Sequence, residues 1–470
     1  MTTVDRDTTG HPRARRVRDA RAAWADRAAW AGRAAWAGRA AGQKLAAAAA
    51  ALALATGAGL TEATLTSGPA QAAEPEPGPG QWFIDDYGID EMWKTTTGKG
   101  TTVAVIDSGV EAAHENLTGT VVKAKDFSET GADGTTPLGD GSIIHHGTAV
   151  AGVIAGNGSG PGPMGVAPDA DLLSASMWLG SNRPESSPPS RQQAAAALRW
   201  AVDEGADVVN MSLGWDDPTW DPDWDEAFAY AFENDVVVIA CVGNRSQGAR
   251  RAWAPATVPG VVGVGGLGAN GQVRAESTAP GIAVDLMGPA EDIPVPLPGG
   301  EYGTGDGCSF AAPVVAGVAA LIRSNDPDLS ADEVVAKLYT TATPVPGHDG
   351  TTTPEQPDPV VGHGRLAPGA ALSADVPDDV PQARQQLADW VTMHRRAPAT
   401  TEQAEPGADS GKETSTESQA QITAATASAA GPAVLIIGGL AGSGLIAAGI
   451  ARMRRTPRSE ADPPAPPEGK

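Results

Sequence analysis

Three short segments carry an aspartate, a histidine and a serine in settings that suit nucleophilic catalysis. Asp107 ends the run VAVID ahead of a Ser-Gly turn, His146 opens HGTAVAG, and Ser309 lies in GCSFAAP. A serine hydroxyl is a weak nucleophile until a base takes its proton, and a histidine base needs a carboxylate to fix its tautomer. Together the three residue types predict acyl transfer by an Asp–His–Ser triad.

Pro313 follows Ser309 by four positions. Since proline is tolerated only in the first turn of a helix, its position predicts that Ser309 lies just ahead of one. The N-terminus of a helix offers free N–H groups and a partial positive charge to a developing oxyanion. Ser309 is therefore predicted at a position that stabilises the negative charge of an acyl-transfer intermediate.

The segments that must position these residues alternate between strand-like and helix-like patterns. Apolar runs at 101–106, 207–212 and 236–241 predict buried strands, and patches at 192–204 and 225–234 predict helices. A capping pair for the second helix is predicted at Asp223 and Glu226. Such alternation indicates a parallel α/β sheet covered on both faces. In such sheets functional residues gather at the carboxyl ends of the strands, where Asp107 and Asn244 are expected.

The order Asp, His, Ser and the three motifs together resemble the subtilisin-like serine proteases of the S8 type. The matching elements are D-S-G at 107–109, H-G-T-x-V-A-G at 146–152 and G-x-S-x-A-x-P at 307–313. The resemblance implies a subtilisin-like three-layer fold over residues 100–375 and hydrolysis of peptide bonds through an acyl-enzyme. It also implies that Asn244, in a Gly-Asn pair after a buried strand, donates to the oxyanion with the Ser309 N–H. No cofactor belongs to this chemistry.

The resemblance extends to the binding of substrate. A strand of the family pairs with an extended peptide and lines the first specificity pocket, and main-chain pairing of this kind tolerates many sequences. The residues implied here are Ser212, Leu213 and Gly214 on one wall and Ala240, Cys241 and Gly243 on the other.

The two cysteines, Cys241 and Cys308, are too few for a disulfide framework or a zinc cage. One bridge in an oxidising compartment and two buried thiols both stay open. Cys308 replaces the threonine usual before the nucleophile in the family. It is the alternative nucleophile, but the register of the motif puts Ser309 in that position.

The two ends of the chain predict export and anchoring. Residues 1–72 combine a basic region containing RAAWAD and RAAWAG repeats, an apolar run and Ala-Gln-Ala at 70–72, which predicts a cleaved signal peptide. A membrane-surface helix is the alternative for the repeats. Residues 432–451 carry no charge and precede a group of arginines, which predicts one transmembrane helix. We expect a cell-membrane protein with its catalytic domain outside, a flexible linker at 376–431 and a cytoplasmic tail at 452–470.

The segment at 73–99 is too short for a folded inhibitory pro-domain. It resembles the N-terminal extension of mycosins, the subtilisin-like proteases of actinobacterial type VII secretion systems. Gln81-Trp82, TTGKG at 96–100, SFAAP at 309–313 and the order of segments carry this resemblance. It implies association with the membrane complex of the secretion system and cleavage of selected exported proteins. A structural subunit with dispensable activity and a generic surface subtilisin are the alternatives.

Charge limits the partners further. The formal net charge is −24, and so acidic a chain repels nucleic acid, which we exclude as a partner.

The segment 214–226, called here the tryptophan-rich loop, contains three tryptophans and several aspartates. A calcium site and a rim of the substrate cleft are the alternatives there to a solvated acidic loop with partly packed tryptophans, which we favour.

Overall fold

A seven-stranded sheet organises the fold. The computed structural model describes residues 75–216, 219–348 and 357–395, and the backbone of a strand at 421–424. The sheet runs in the order β2-β3-β1-β4-β5-β6-β7, and neighbouring strands are parallel throughout. Its strands are β1 (Thr102–Asp107), β2 (Val121–Asp126), β3 (Asp171–Ser176), β4 (Val208–Met211), β5 (Val237–Cys241), β6 (Val262–Leu267) and β7 (Leu286–Pro289). The predicted parallel α/β sheet is confirmed.

Helices precede, connect and follow the strands. They are α1 (Trp82–Asp86), α2 (Ile89–Trp93), α3 (His146–Ala155), α4 (Ser190–Asp203), α5 (Pro222–Glu233), α6 (Cys308–Asn325), α7 (Ala331–Thr341), α8 (Pro368–Ser373) and α9 (Ala383–His394). The capping pair predicted at Asp223 is wrong. Helix α5 begins at Pro222 with Asp221 at its N-cap, because the fixed φ of proline suits the first helical position.

The helices cover the sheet in two groups. Helix α6 packs against β4, β5, β6 and β7 and contacts α3, whereas α4 contacts β1 and β3 and also packs on α5. Strands β4 and β5 are buried along their whole length. This burial explains why they read as continuous apolar runs instead of alternating patterns.

Helix α6 is also apolar and long enough to cross a membrane, yet nearly all of it is buried inside the fold. It is the central helix of the core. The predicted signal peptide, transmembrane segment and cytoplasmic tail lie outside the described residues.

A small antiparallel sheet in the order β10-β9-β8 accompanies the central one. It consists of β8 (Ile293–Leu297), β9 (Glu301–Asp306) and β10 (Gln421–Ala424). Both β10 and α9 lie within the range predicted as a linker. Helix α9 packs on α5, and the rings of Trp390 and Trp220 lie 4.3 Å apart. The guanidinium of Arg395 donates to the Trp220 carbonyl at 2.6 Å, so the C-terminal end of α9 is hydrogen bonded to the tryptophan-rich loop.

The N-terminal extension is held by hydrogen bonds to the body of the domain. The Gln81 side chain accepts from Met164 N at 2.8 Å and donates to Met164 O at 2.7 Å. Trp82 Nε1 donates to the Glu291 carbonyl, and Trp93 Nε1 donates to the Val166 carbonyl, each at 2.9 Å. These contacts fasten the extension along the α3–β3 connection and the β7–β8 turn.

Candidate active site

Asp107 and His146 form a buried pair at the carboxyl end of β1. Asp107 is the last residue of β1, and His146 is the first residue of α3. His146 Nδ1 lies 2.8 and 2.9 Å from the two carboxylate oxygens, while Ser108 N–H donates to Asp107 Oδ1 at 2.7 Å. Because the carboxylate holds a proton on Nδ1, the neutral ring presents Nε2 as its acceptor. That Nε2 is buried without a hydrogen-bond partner among the residues that the structure describes.

Ser309 is the second residue of α6 and is fully buried. Its neighbour Phe310 has its ring 5.7 Å from that of His146, which puts the serine helix beside the Asp–His pair. The Ser309 hydroxyl points to Cys241 Sγ at 3.8 Å, so it is not bonded to His146 in this conformation. Hydrogen bonds between a nucleophile and its base are often long or poorly aligned without substrate and tighten only when it binds.

Pro313 lies inside α6 instead of in its first turn, because the helix already begins at Cys308. Proline lacks the N–H that would bond the carbonyl four residues earlier, which is that of Ser309. The Ser212 hydroxyl donates to this carbonyl at 2.7 Å. The predicted substrate-binding segment is thereby attached directly to the predicted nucleophile.

Asn244 is buried next to the N-terminus of α6. The Cys308 N–H donates to Asn244 Oδ1 at 3.0 Å. Since a backbone N–H can only donate, this bond fixes which end of the amide faces the helix and leaves Nδ2 as the outward donor. Nδ2 lies 3.3 Å from Gln247 Oε1. Gly307 is required here, since its φ is +123° and an added Cβ would come within 2.9 Å of Asn244 Oδ1.

A disulfide joins Cys241, the last residue of β5, to Cys308, the first residue of α6. Both residues are buried, and the Gly243 N–H approaches the two sulfurs at 3.4 and 3.3 Å. Of the two alternatives left open by the sequence, the structure therefore has the bridge. A bridged sulfur is not a free thiolate, so Cys308 cannot act as the nucleophile in this state.

Removing the disulfide should lower stability. It connects positions 67 apart in the chain, so the double variant Cys241→Ala/Cys308→Ala is expected to lose about 2–4 kcal/mol of unfolding free energy, measured by urea denaturation. The single variant Cys241→Ala should lose a similar amount of unfolding free energy, because removing one sulfur already breaks the cross-link. Two thiols titrating in the denatured, unreduced wild-type chain would contradict the bridge.

The predicted binding residues occupy adjacent segments. Strands β4 and β5 are paired, with Met211 opposite Ala240, so the segments that continue from them emerge side by side next to Ser309. Ser212 and Leu213 are buried, as are Ala240 and Cys241. Trp253, which none of the predicted motifs contains, has its ring against Gly214 and Gly243. No local pattern marks this tryptophan, since its contacts come from distant parts of the chain.

In the tryptophan-rich loop the indoles are packed inside the fold, whereas Asp216, Asp221 and Asp223 are exposed. Trp215, Trp220 and Trp224 are buried, and Trp220 Nε1 donates to Asp225 Oδ1 at 2.7 Å. Asp225 also pairs with Arg395 at 2.5 Å. Within the described ranges no group of three or more His, Cys, Asp or Glu side chains is placed to hold a metal ion.

The sheet order, the Asp–His pair at the end of β1 and a serine at the start of the central buried helix define a subtilisin-like α/β protein. The model of the subtilase family (Peptidase_S8) matches residues 98–364, more than half of the chain. The chain therefore belongs to the subtilase family of serine endopeptidases.

Similar proteins include both subtilisins and mycosins. The chain is 34% identical over 264 residues to the major intracellular serine protease of Bacillus subtilis. The matched region covers 54% of this chain and 80% of that protein. It is 34% identical over 335 residues to Mycosin-4 of Mycobacterium tuberculosis, covering 63% and 69% respectively. The solved structure of the MycP3 protease from the type VII (ESX-3) secretion system is 30% identical, with a TM-score of 0.52 over 63% of this chain and 88% of that one.

Proposed function

We propose that this protein is a mycosin-like serine endopeptidase in which Asp107, His146 and Ser309 form the catalytic triad. The observation that carries the proposal is the buried pair of Asp107 with His146 Nδ1 beside the N-terminus of the helix that begins with Cys308-Ser309. The pair leaves Nε2 as the base that takes the hydroxyl proton of Ser309. The deprotonated oxygen attacks the carbonyl carbon of the substrate, and His146 then gives the proton to the departing amine. Water, activated by the same histidine, hydrolyses the acyl-enzyme.

Asn244 Nδ2 and the Ser309 N–H are proposed to stabilise the oxyanion. Ser309 lies in the first turn of α6, where backbone N–H groups have no intrahelical partner. The amide of Asn244 is pre-oriented by Cys308 N–H on Oδ1, so its donor does not have to reorganise as charge develops. The long 3.3 Å contact of Nδ2 with Gln247 is the bond that the oxyanion would replace.

A peptide substrate is proposed to pair with the main chain of Ser212–Gly214, with Ala240, Cys241 and Gly243 on the other side. Support comes from the hydrogen bond of the Ser212 hydroxyl to the Ser309 carbonyl, which joins this segment to the backbone of Ser309. Main-chain pairing orients the scissile bond, and the side-chain pocket provides selectivity.

We propose further that the domain is exported by the signal peptide at 1–72 and anchored by residues 432–451, with the active site on the outer side of the cell membrane. The uncharged segment followed by arginines supports this orientation. The likeness to Mycosin-4 and to the MycP3 protease of a type VII secretion system supports association with such a system and cleavage of selected exported proteins.

A fluorophosphonate that cannot cross membranes tests the site and its location together. The probe is expected to modify Ser309 on intact cells, with the labelled chain in the membrane fraction. A variant that ends after Gly431, which keeps β10 and removes the proposed anchor, should be labelled equally but released into the medium, and Ser309→Ala should stay unlabelled. Labelling only after lysis would contradict the orientation, and no labelling of any variant would contradict the assigned nucleophile.

A further inference from the structure

Two backbone segments define the space that a substrate side chain must enter. Strands β4 and β5 are parallel neighbours, so the segments continuing from them, 212–214 and 242–244, leave the sheet side by side. The first is hydrogen bonded to the Ser309 carbonyl and the second to the N-terminus of α6. A peptide whose carbonyl carbon lies at the Ser309 hydroxyl and whose oxygen lies at Asn244 directs the side chain before the scissile bond between these segments.

The indole of Trp253 occupies the space between them. A Cβ added at Gly214 would lie 3.1 Å from Trp253 Cβ and 3.2 Å from Cε3. A Cβ added at Gly243 would lie 2.8 Å from Cδ2 and 3.0 Å from Cγ of the same ring. The ring thus lies against both glycines, and only 1% of Trp253 is exposed. An added Cβ would collide with the indole at Gly243 and would be tightly packed against it at Gly214, so both glycines favour this close approach.

The ring is also fixed in orientation. Trp253 N–H donates to the Val242 carbonyl at 3.0 Å, and the neighbouring Ala254 carbonyl accepts from Trp215 N–H at 2.9 Å. The main chain around Trp253 therefore connects the two segments. The indole Nε1 donates to Asp216 Oδ1 at 3.1 Å, and the ring packs with Ala249 and Ala279. Swinging the ring out of the pocket would break this hydrogen bond and expose a large apolar surface.

We propose that Trp253 is a specificity-determining residue that restricts the substrate to a glycine, alanine or serine immediately before the scissile bond. A close-packed wall of this kind does not yield to an aromatic or long aliphatic side chain without displacing the indole. This inference rests on the proposed peptidase function and names its substrate class: peptides cleaved after a small residue.

The test compares full-length wild-type protein with Trp253→Ala on fluorogenic peptides that differ only in alanine or phenylalanine before the scissile bond. The wild type is expected to favour the alanine peptide by about 100-fold in kcat/KM. Trp253→Ala should reduce that preference at least tenfold by raising kcat/KM for the phenylalanine peptide. Trp253→Phe, which keeps an aromatic ring in the pocket, should retain the preference for alanine.

Fluorophosphonate labelling of Ser309 reports whether each variant has kept its active site, so a loss of folding is not mistaken for altered selectivity. A wild-type enzyme that is labelled but cleaves after phenylalanine as readily as after alanine overturns the inference and leaves the proposed function intact. The same holds if a labelled Trp253→Ala keeps the preference of the wild type. A wild-type chain that neither reacts nor cleaves overturns both.

Discussion

Replacing Ser309 by alanine is expected to lower kcat for peptide hydrolysis by about 10⁶-fold, the loss that follows removal of the nucleophile in subtilisins. The variant keeps the proposed oxyanion donors and the proposed binding segments, so a residual rate above that of the uncatalysed reaction should remain. The measurement is the initial rate of hydrolysis of an alanine-containing fluorogenic peptide by purified full-length protein.

Stability provides the control for Ser309→Ala. The Ser309 hydroxyl has only a long 3.8 Å contact with Cys241 Sγ, whereas its carbonyl bond to Ser212 belongs to the backbone and survives the substitution. The melting temperature should therefore change little. Activity close to that of the wild type in a folded Ser309→Ala protein would rule out this serine as the nucleophile.

The same variant separates an enzymatic role from a structural one. If secretion by the proposed type VII system depends on proteolysis, Ser309→Ala and deletion of the whole chain should impair secretion alike. If the protein acts as a structural subunit, Ser309→Ala should support secretion while the deletion does not. The comparison requires equal amounts of the variant and wild-type proteins in the membrane fraction.

Replacing Asp107 by asparagine is expected to lower kcat by about 10⁴-fold, although the side chain keeps its shape. The carboxylate accepts from His146 Nδ1 and from Ser108 N–H. An asparagine that turns its amide NH₂ to the ring makes Nδ1 the acceptor, and the proton then sits on Nε2, where the ring can no longer serve as a base. The expected signature is a large fall in kcat with little change in KM, measured with one peptide.

Asp169→Asn is the matched control for this substitution. Asp169 accepts from the Thr97 hydroxyl in the α3–β3 connection, away from the Asp107–His146 pair. The substitution Asp169→Asn should leave kcat within about twofold of the wild-type value, because it changes only an exposed side chain. If Asp107→Asn lowered kcat no more than Asp169→Asn does, the proposed orienting role of Asp107 would be wrong.

Much of the fold was accessible from local patterns. The runs at 101–106, 207–212 and 236–241 predicted β1, β4 and β5 because strands covered on both faces must be apolar throughout. Two predicted helix boundaries are wrong: α5 begins at Pro222, and Pro313 lies inside α6 and not in its first turn. For Pro313 the reason is a long-range contact: the Ser309 carbonyl, which the proline cannot bond, accepts from the Ser212 hydroxyl 97 positions away in the chain, and no local pattern shows this.

The motifs of the sequence predict the subtilisin-like class, which is confirmed, and the residues that the proposed chemistry uses. Short motifs contain the four residues of this chemistry, because each motif brings the required residue types together within a few positions of the chain. These residues are Asp107, His146, Ser309 and Asn244. Two features could be seen only in the folded chain: the bridge between Cys241 and Cys308, with Cα atoms 5.1 Å apart, and the position of the Trp253 ring against Gly214 and Gly243. The physical reason is the distance along the chain over which each kind of signal acts. Motifs and periodicity report on neighbours along the chain, whereas the bridge and the pocket depend on how β4, β5 and α6 pack, and packing is set by the whole core at once.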